Sequence, residues 1–256
     1  MEQSTQTRGG TPLLAGRCAT ITAAAGTGIG FATALRFAEE GASLVLSDRH
    51  ERRLGEAAAT LRARGASVHA VACDVTDGEQ VERFFEEAAE VFGGFDIVVN
   101  NAGLGHTAPL VETEDADWLR VIDVSLGGTF RCLRAALPRI AAGGAIVNVG
   151  SVTGHRAERG QSAYAAAKAG VHALTRCAAL EAAARGVRVN AVAPTLAVHA
   201  FLERVADAAH LRAMEALQLQ GRAATPAEVA DTIVFLASDL AGYLTGECLS
   251  VSSQRP

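Results

Sequence analysis

Apolar residues along this chain fall into short continuous runs, separated by longer stretches with helical spacing. The runs are Cys18–Ala23, Ser43–Ser47, Ser67–Ala72, Phe95–Asn100, Ala145–Val149, Arg188–Ala193 and Cys248–Val251. The first six are nearly unbroken rather than alternating, as expected of parallel strands covered by helices on both faces. Helical patterns lie between them, at Ile29–Glu40, Glu51–Arg64, Gly78–Phe92, Asp115–Ala141, Gln161–Ala184 and Pro226–Ser238. The punctuation agrees with these limits. Gly41, Gly65 and Gly186 stand just past helix ends, where a left-handed cap residue is wanted. Asp77 and Thr225 stand at N-cap positions, the latter followed by Pro226 in the first helical place.

Repeated strand–helix–strand order predicts an α/β chain with a doubly wound parallel sheet and right-handed crossovers. No Pro/Gly/Ser-rich linker divides it, so residues 15–256 are expected to form one domain, with 1–14 as a flexible leader. The stretch 197–222 has a helical pattern but no strand of its own. Ligands in such sheets bind beyond the carboxyl ends of strands. This stretch follows the sixth strand and reads as a lid over that end.

Composition narrows the class. A formal net charge of −5 over 256 residues argues against a nucleic-acid or anionic-membrane footprint. Cys18–Leu35 is an 18-residue stretch without charge, but three glycines in its middle make it a strand, a turn and a helix rather than a membrane span. The polar start, Met1 to Thr11, lacks the apolar core of a signal peptide. The five cysteines are never closer than 45 positions, which offers no metal knuckle and suits reduced thiols in a cytoplasm. His106, His155 and His199 also lack metal-ligand spacing, so no metal is expected.

Candidate chemistry sits at strand ends. Gly26-Thr27-Gly28-Ile29-Gly30 follows the first strand and opens the first helix, where free amides could receive a pyrophosphate. The full G-x-G-x-x-G fingerprint is not met, because Phe31 takes the last place. Asp48 ends the second strand about 20 residues on, where an acid accepts hydrogen bonds from a ribose and repels a 2′-phosphate. Arg49 follows it and would attract one. NAD(H) is therefore the expected cofactor, with NADP(H) the alternative. Tyr164 and Lys168 are four apart in an alanine-rich helical stretch, which puts phenol and ammonium on one face. The cation favours the phenolate, so the pair is expected to carry a lowered tyrosine pKa and to exchange protons near neutrality. Ser151 lies thirteen residues before Tyr164, just past the fifth strand.

With Asp74-Val75, Asn100-Asn101-Ala102-Gly103 and Arg188-Val189-Asn190-Ala191-Val192-Ala193-Pro194, these pieces resemble the short-chain dehydrogenase/reductase family, from about Arg17 onward. The resemblance implies a Rossmann-type sheet of seven strands in the order 3-2-1-4-5-6-7. It implies Tyr164 as general acid/base, Ser151 as the hydrogen-bond partner of the substrate oxygen, and Lys168 on the nicotinamide ribose. It implies cofactor contacts at Ala24, Thr27, Gly28, Ile29, Asp48 and Arg49. Asp74 and Val75 would hold the adenine, Asn101, Ala102 and Gly103 would pass beside its ribose, and Pro194 and Ala197 would fix the carboxamide. Thr195, His199 and His155 are expected near the substrate. Three departures stand out: Ala24 replaces the family's first glycine, Thr195 follows Pro194 where glycine is usual, and Ser125 takes the place of the fourth catalytic residue, an asparagine. Ser125 is expected to hold a relay water, although a hydroxyl has one donor where an amide has two.

Within the family, the Ala23–Thr27 turn, the stretch Asp123-Val124-Ser125-Leu126 and the ending Val251-Ser252-Ser253-Gln254 are similar to an actinobacterial subgroup acting on bicyclic hydroxyacyl-CoA intermediates of steroid ring degradation. The expected activity interconverts a secondary alcohol and a ketone on a hydroxyacyl or oxoacyl thioester, with an acyl-CoA as small-molecule partner. The alternatives are a carrier-protein reductase, for which Arg185 but not the neutral Ala142 suits an acidic carrier, and a nucleotide-binding regulator without turnover. A homotetramer is expected, or failing that a dimer.

Overall fold

The structure is a computed structural model that describes residues 11–156, 158–198 and 208–253, with 208–210 described by backbone alone. Seven strands form one parallel sheet: β1 (Cys18–Ile21), β2 (Ser43–Asp48), β3 (Val68–Ala72), β4 (Ile97–Asn100), β5 (Ala145–Val149), β6 (Arg188–Pro194) and β7 (Cys248–Val251). Their order is β3-β2-β1-β4-β5-β6-β7, all pairs parallel, as the sequence pattern and the resemblance imply. The reversal of winding falls between β1 and β4, which opens a crevice at their carboxyl ends.

Side-chain alternation sends each strand to two cores. Leu44, Leu46, Ile97, Val99 and Val147 pack on one face, against helices α1 (Ile29–Glu39), α2 (Glu51–Ala63) and α8 (Pro226–Ala237). Val45, Val98, Ile146 and Val189 pack on the other, against α3 (Gly78–Val91), α5 (Gly128–Ala136) and α6 (Ser162–Ala182). Both faces are apolar because both are covered, which is why the runs read as continuous. Phe84, Phe85 and Phe95 fill the second core, the first pair T-shaped with ring centroids 4.9 Å apart and the second tilted at 5.6 Å. Each such ring, fully buried, contributes roughly 1.5–3 kcal/mol.

Three local expectations are corrected. The first strand stops at Ile21 rather than Ala23, since Ala23 has a φ of 50°, outside the extended region. Asp115–Ala141 is not one helix. It divides into α4 (Asp115–Ile122), a π-helical turn at Asp123–Gly127, and α5, which ends at Ala136 just ahead of Leu137-Pro138. Leu137 keeps helical angles (φ −54°, ψ −40°), but Pro138 has no amide hydrogen to continue the ladder, so the helix stops there. The leader is shorter than expected at its described end, because Leu14 is 1% exposed and donates its amide to the Glu40 carbonyl. The segment after β6 carries α7 (Ala208–Ala216). Among the described residues no helix is long and apolar enough to cross a membrane.

Candidate active site

The turn from β1 into α1 is built by close backbone approach. Ala23 and Gly26 take positive φ, 50° and 90°, while Ala24, at the family's first glycine, is fully buried and donates to the Ser47 carbonyl. The strain of an L-residue in the left-handed region is held by Asn101, whose Nδ2 donates to the carbonyls of Thr22 and Ala23 at 3.1 and 3.0 Å. A Cβ on Gly30 would lie 2.4 Å from that same Nδ2, so only glycine admits the clamp. The Thr22 hydroxyl accepts from the amides of Asn101 and Ala102 at 3.0 and 3.2 Å, joining β1 to the end of β4. Gly28 caps α1 without a side-chain hydrogen bond, and Thr27 is exposed beside it.

Asp48 is 9% exposed at the end of β2 and accepts from the amides of His50 (2.9 Å) and Ala25 (3.3 Å). Burial raises its pKa against the opposing Ala25 hydrogen bond and the charges of Arg53 and Arg49. Its carboxylate therefore also ties the glycine turn to β2. Arg49, Asp74, Thr76 and Val124 line an open crevice of about 660 Å³ beyond the strand ends. Asp74 Oδ1 is taken by the Thr76 amide and hydroxyl at 3.0 and 2.8 Å, and Val75 packs on Gly128, where a Cβ would sit 2.6 Å from its Cγ2.

Ser151, Tyr164 and Lys168 are brought together past β5. Ser151 is 7% exposed at the start of a 3₁₀ turn, Val152–Gly154, and accepts from the Thr153 amide at 3.2 Å. It also hydrogen-bonds Tyr164, which, like Leu104 and Trp118, packs against a small third cluster of Val121, Ala163 and Ala167. Lys168 is buried, with Nζ 2.6 Å from the Val149 carbonyl and 5.6 Å from the Tyr164 ring centre. Gly103 meets them: a Cβ there would lie 3.2 Å from Lys168 Nζ and 3.8 Å from Ser125 Oγ.

The electrostatics differ from the expectation. Burial pushes the Tyr164 phenol up from its ordinary value, and the Ser151 hydrogen bond opposes this only in part. Burial also brings Lys168 down to about 8. A desolvated ammonium that has itself weakened is not the main influence on the phenol, so the expected lowering is absent. Tyr164 is thus a neutral proton donor at pH 7. Ser125 differs too. Fully buried in the π-helical turn, its hydroxyl accepts from the Leu104 amide at 3.0 Å and donates to the Leu104 carbonyl at 3.1 Å. Its single donor is spent on backbone.

The remaining candidates scatter. Thr195 donates its amide to the Val251 carbonyl at 3.1 Å, after Pro194 closes β6. Ala197 forms an isolated parallel bridge with Ala224, tying together the two ends of the 197–222 stretch. His199 lies outside the described residues. His155 stacks on His172, ring centres 4.3 Å apart. The sequence reading passed over a buried polar ladder: Asn100 Nδ2 to Asn148 Oδ1 (2.8 Å), then Asn148 Nδ2 to Thr175 Oγ1 (2.9 Å). It joins β4, β5 and α6 behind the cluster. The only signal was polar residues in otherwise apolar runs.

The sheet, its winding reversal and the cluster at its carboxyl edge define a doubly wound α/β protein of the nucleotide-binding type. A family model described as Enoyl-(Acyl carrier protein) reductase matches residues 23–253. The chain belongs to the short-chain dehydrogenase/reductase family. It is 54% identical to a (5R,7aS)-5-hydroxy-7a-methyl-1-oxo-2,3,5,6,7,7a-hexahydro-1H-indene-carboxyl-CoA reductase of Mycobacterium tuberculosis, over 95% of each chain. It is 45% identical to a cis-4-hydroxycyclohexanecarboxylate dehydrogenase of Sinomonas cyclohexanicum, over 92% of this chain and 94% of that one. A short chain dehydrogenase from Mycobacterium smegmatis superimposes with a TM-score of 0.85 at 49% identity, covering 96% of both chains.

Proposed function

We propose that this protein is an NAD(H)-dependent oxidoreductase that interconverts a secondary alcohol on a carbocycle and its ketone, in a substrate bearing a carboxyl-CoA thioester. The observation that carries this reading is the convergence of buried Ser151 and Lys168 with half-buried Tyr164 past the end of β5. Two relatives named for hydroxylated rings bearing a carboxyl group support the substrate class. The residues present fit a dinucleotide: an open α1 N-terminus behind glycines, an acid ending β2, and Gly103 facing the lysine without a side chain. Ala24, Thr27, Gly28, Ile29 and Asp48 would hold one half, Asp74, Val75, Asn101 and Ala102 the adenosine side, and Lys168, Pro194 and Ala197 the nicotinamide side. When bound, that group supplies or accepts the hydride.

The chain's own work is proton handling and orientation. Ser151 hydrogen-bonds the substrate oxygen and, through its bond to Tyr164, aims the phenol at the same atom. Tyr164, kept neutral by burial, gives its proton to the oxygen in reduction and recovers it in oxidation. Lys168, anchored on Val149, has a pKa near neutrality and can return that proton. The lid expected at 197–222, whose residues 199–207 lie outside the described ones, would exclude water from this end of the sheet.

A carrier-protein substrate is disfavoured because Arg185, the arginine that suits an acidic carrier, is committed within the chain. Its guanidinium donates to the carbonyls of Leu137 and Ile140 and so caps the end of the α5 segment. The test is a panel of ring hydroxyacyl-CoA, linear 3-oxoacyl-CoA and acyl-carrier substrates, followed by nicotinamide absorbance. Ring CoA esters should show the highest kcat/KM. A carrier substrate that outruns them would hand the function to fatty-acid synthesis, and no hydride transfer with any of them would leave a regulator. Wild-type enzyme should prefer NAD(H), and Asp48→Ala should raise the NADP(H)/NAD(H) ratio of kcat/KM. A wild-type preference for NADP(H) would transfer the choice to Arg49.

A further inference from the structure

Among the buried polar groups of the described residues, His172 alone has both of its side-chain polar atoms without a partner. His172 is 3% exposed on α6, one turn beyond Lys168, and neither ring nitrogen has a hydrogen-bond partner in the structure. A neutral imidazole always presents one donor and one acceptor, and buried polar atoms are satisfied in nearly all native proteins. The ring is nonetheless closely housed. A Cβ on Gly150 would stand 2.3 Å from its Nε2, and one on Gly154 would stand 2.7 Å from its Cε1. Two glycines vacate the space it fills.

What faces the ring is a set of ligand atoms. One nitrogen each from His155 and His172 and the sulfur of Cys248 lie within 4.8 Å of one another. They come from three elements: the turn after Ser151, the middle of α6 and the first residue of β7. Two imidazoles and a thiol suit a thiophilic, borderline-soft cation such as zinc. Ligand atoms around tetrahedral zinc, bonded at about 2.0–2.3 Å, stand about 3.5 Å apart, so the three must close by about 1 Å. His155 is exposed and stacked on His172 with ring centres 4.3 Å apart, so its ring must turn edge-on to the site, and the half-buried Cys248 thiol must approach both rings. Lys168 and Arg176 place positive charge beside His172, which excludes a hard cation held by neutral groups and calls for the thiolate.

We propose that His155, His172 and Cys248 form a Zn²⁺ site, with solvent completing the fourth position on the exposed His155 side. Binding replaces the thiol proton by a sulfur–metal bond and releases that proton to solvent, with no change of oxidation state. The metal would clasp the turn that begins at Ser151 to α6 and β7, and so stiffen the active-site wall. The site stands independently of the substrate assigned above.

The test uses Co²⁺ as an optical probe on the purified full chain, with Zn²⁺ as competitor. One Co²⁺ per chain should bind with a near-ultraviolet sulfur-to-metal charge-transfer band, and one equivalent of Zn²⁺ should remove it. Cys248→Ser should abolish the band, while Cys177→Ser, at the exposed cysteine, should leave it intact. His155→Gln, at an exposed position, should weaken Co²⁺ binding at least tenfold. Circular dichroism checks that each variant folds. If Cys248→Ser does not fold, His155→Gln decides alone. Absence of the band in wild type, its survival in Cys248→Ser, or unchanged affinity in His155→Gln overturns the site and leaves His172 to an ordered water.

Discussion

Tyr164 on α6 and Ser125 in the π-helical turn have opposite balances of duty. The phenol is kept protonated by burial and is left with one partner, Ser151, so it is available for transfer. Tyr164→Phe should keep cofactor affinity, measured by fluorescence quenching, while turnover falls about a hundredfold or more. The Ser125 hydroxyl has no such freedom, because Leu104 takes both its donor and its acceptor. Its role in this arrangement is to hold the strand-end loop that presents Gly103 to Lys168. Ser125→Ala leaves a buried amide and carbonyl without partners, worth about 1–3 kcal/mol. Chemical denaturation should record that loss, together with a fall in kcat. A variant that loses kcat at unchanged stability would instead restore the relay-water role.

Among the elements, the interrupted α4–α5 helix and α8 show how local chemistry sets position. The π-helical turn at Asp123–Gly127 puts Ser125 inward and lets Gly128 rest against Val75, which a regular helix with any larger residue would prevent. The start of α8 is a reciprocal capping box. Thr225 accepts from the Glu228 amide at 3.2 Å, and Glu228 accepts from the Thr225 amide at 2.8 Å. Arg222 adds a bidentate pair to the same carboxylate, at 2.6 and 2.9 Å. Thr225→Ala should therefore cost about 1 kcal/mol in urea unfolding. The Arg222 hydrogen bond, foremost, and the cap hold the Glu228 carboxyl down to about 2. A depressed carboxylate stabilises the fold fully above its unfolded value near 4.5, and that share is lost as pH falls toward 2. Glu228→Gln should flatten the slope of stability against pH in that window, with thermal melts as the readout.

The whole molecule leaves large apolar side chains on its outside. Leu119 and Phe130 are 62% and 46% exposed on α4 and α5, Leu180 is 81% exposed on α6, and Leu240 and Tyr243 are exposed between α8 and β7. Exposed apolar groups gathered on particular elements are candidates for surfaces of association. Two separate surfaces on one chain suit two twofold axes. A homotetramer is the expected species in light scattering at micromolar concentration, with a dimer if only one surface engages. Phe130→Glu should lower the mass by half if its surface is one of the two. A monomer-sized wild type would rule the assembly out.

Periodicity and punctuation alone determined the seven strands, the helices between them and the covered character of both sheet faces, because burial on two sides leaves continuous apolar runs. The facing of Tyr164 and Lys168 could be read from a four-residue helical spacing, whereas Ser151 and the roles of all three came from the family resemblance. Tertiary structure decided the rest. Whether the tyrosine pKa rises or falls is set by how much water the folded site excludes, which no spacing encodes. The commitments of Ser125 to Leu104 and of Asn101 to the Ala23 turn depend on loops meeting across the sheet edge. The neighbourhood of His155, His172 and Cys248 shows the limit most clearly. Their positions are 17 and 76 residues apart along the chain, and only the pairing of β6 with β7 beneath α6 brings a sulfur to two imidazoles.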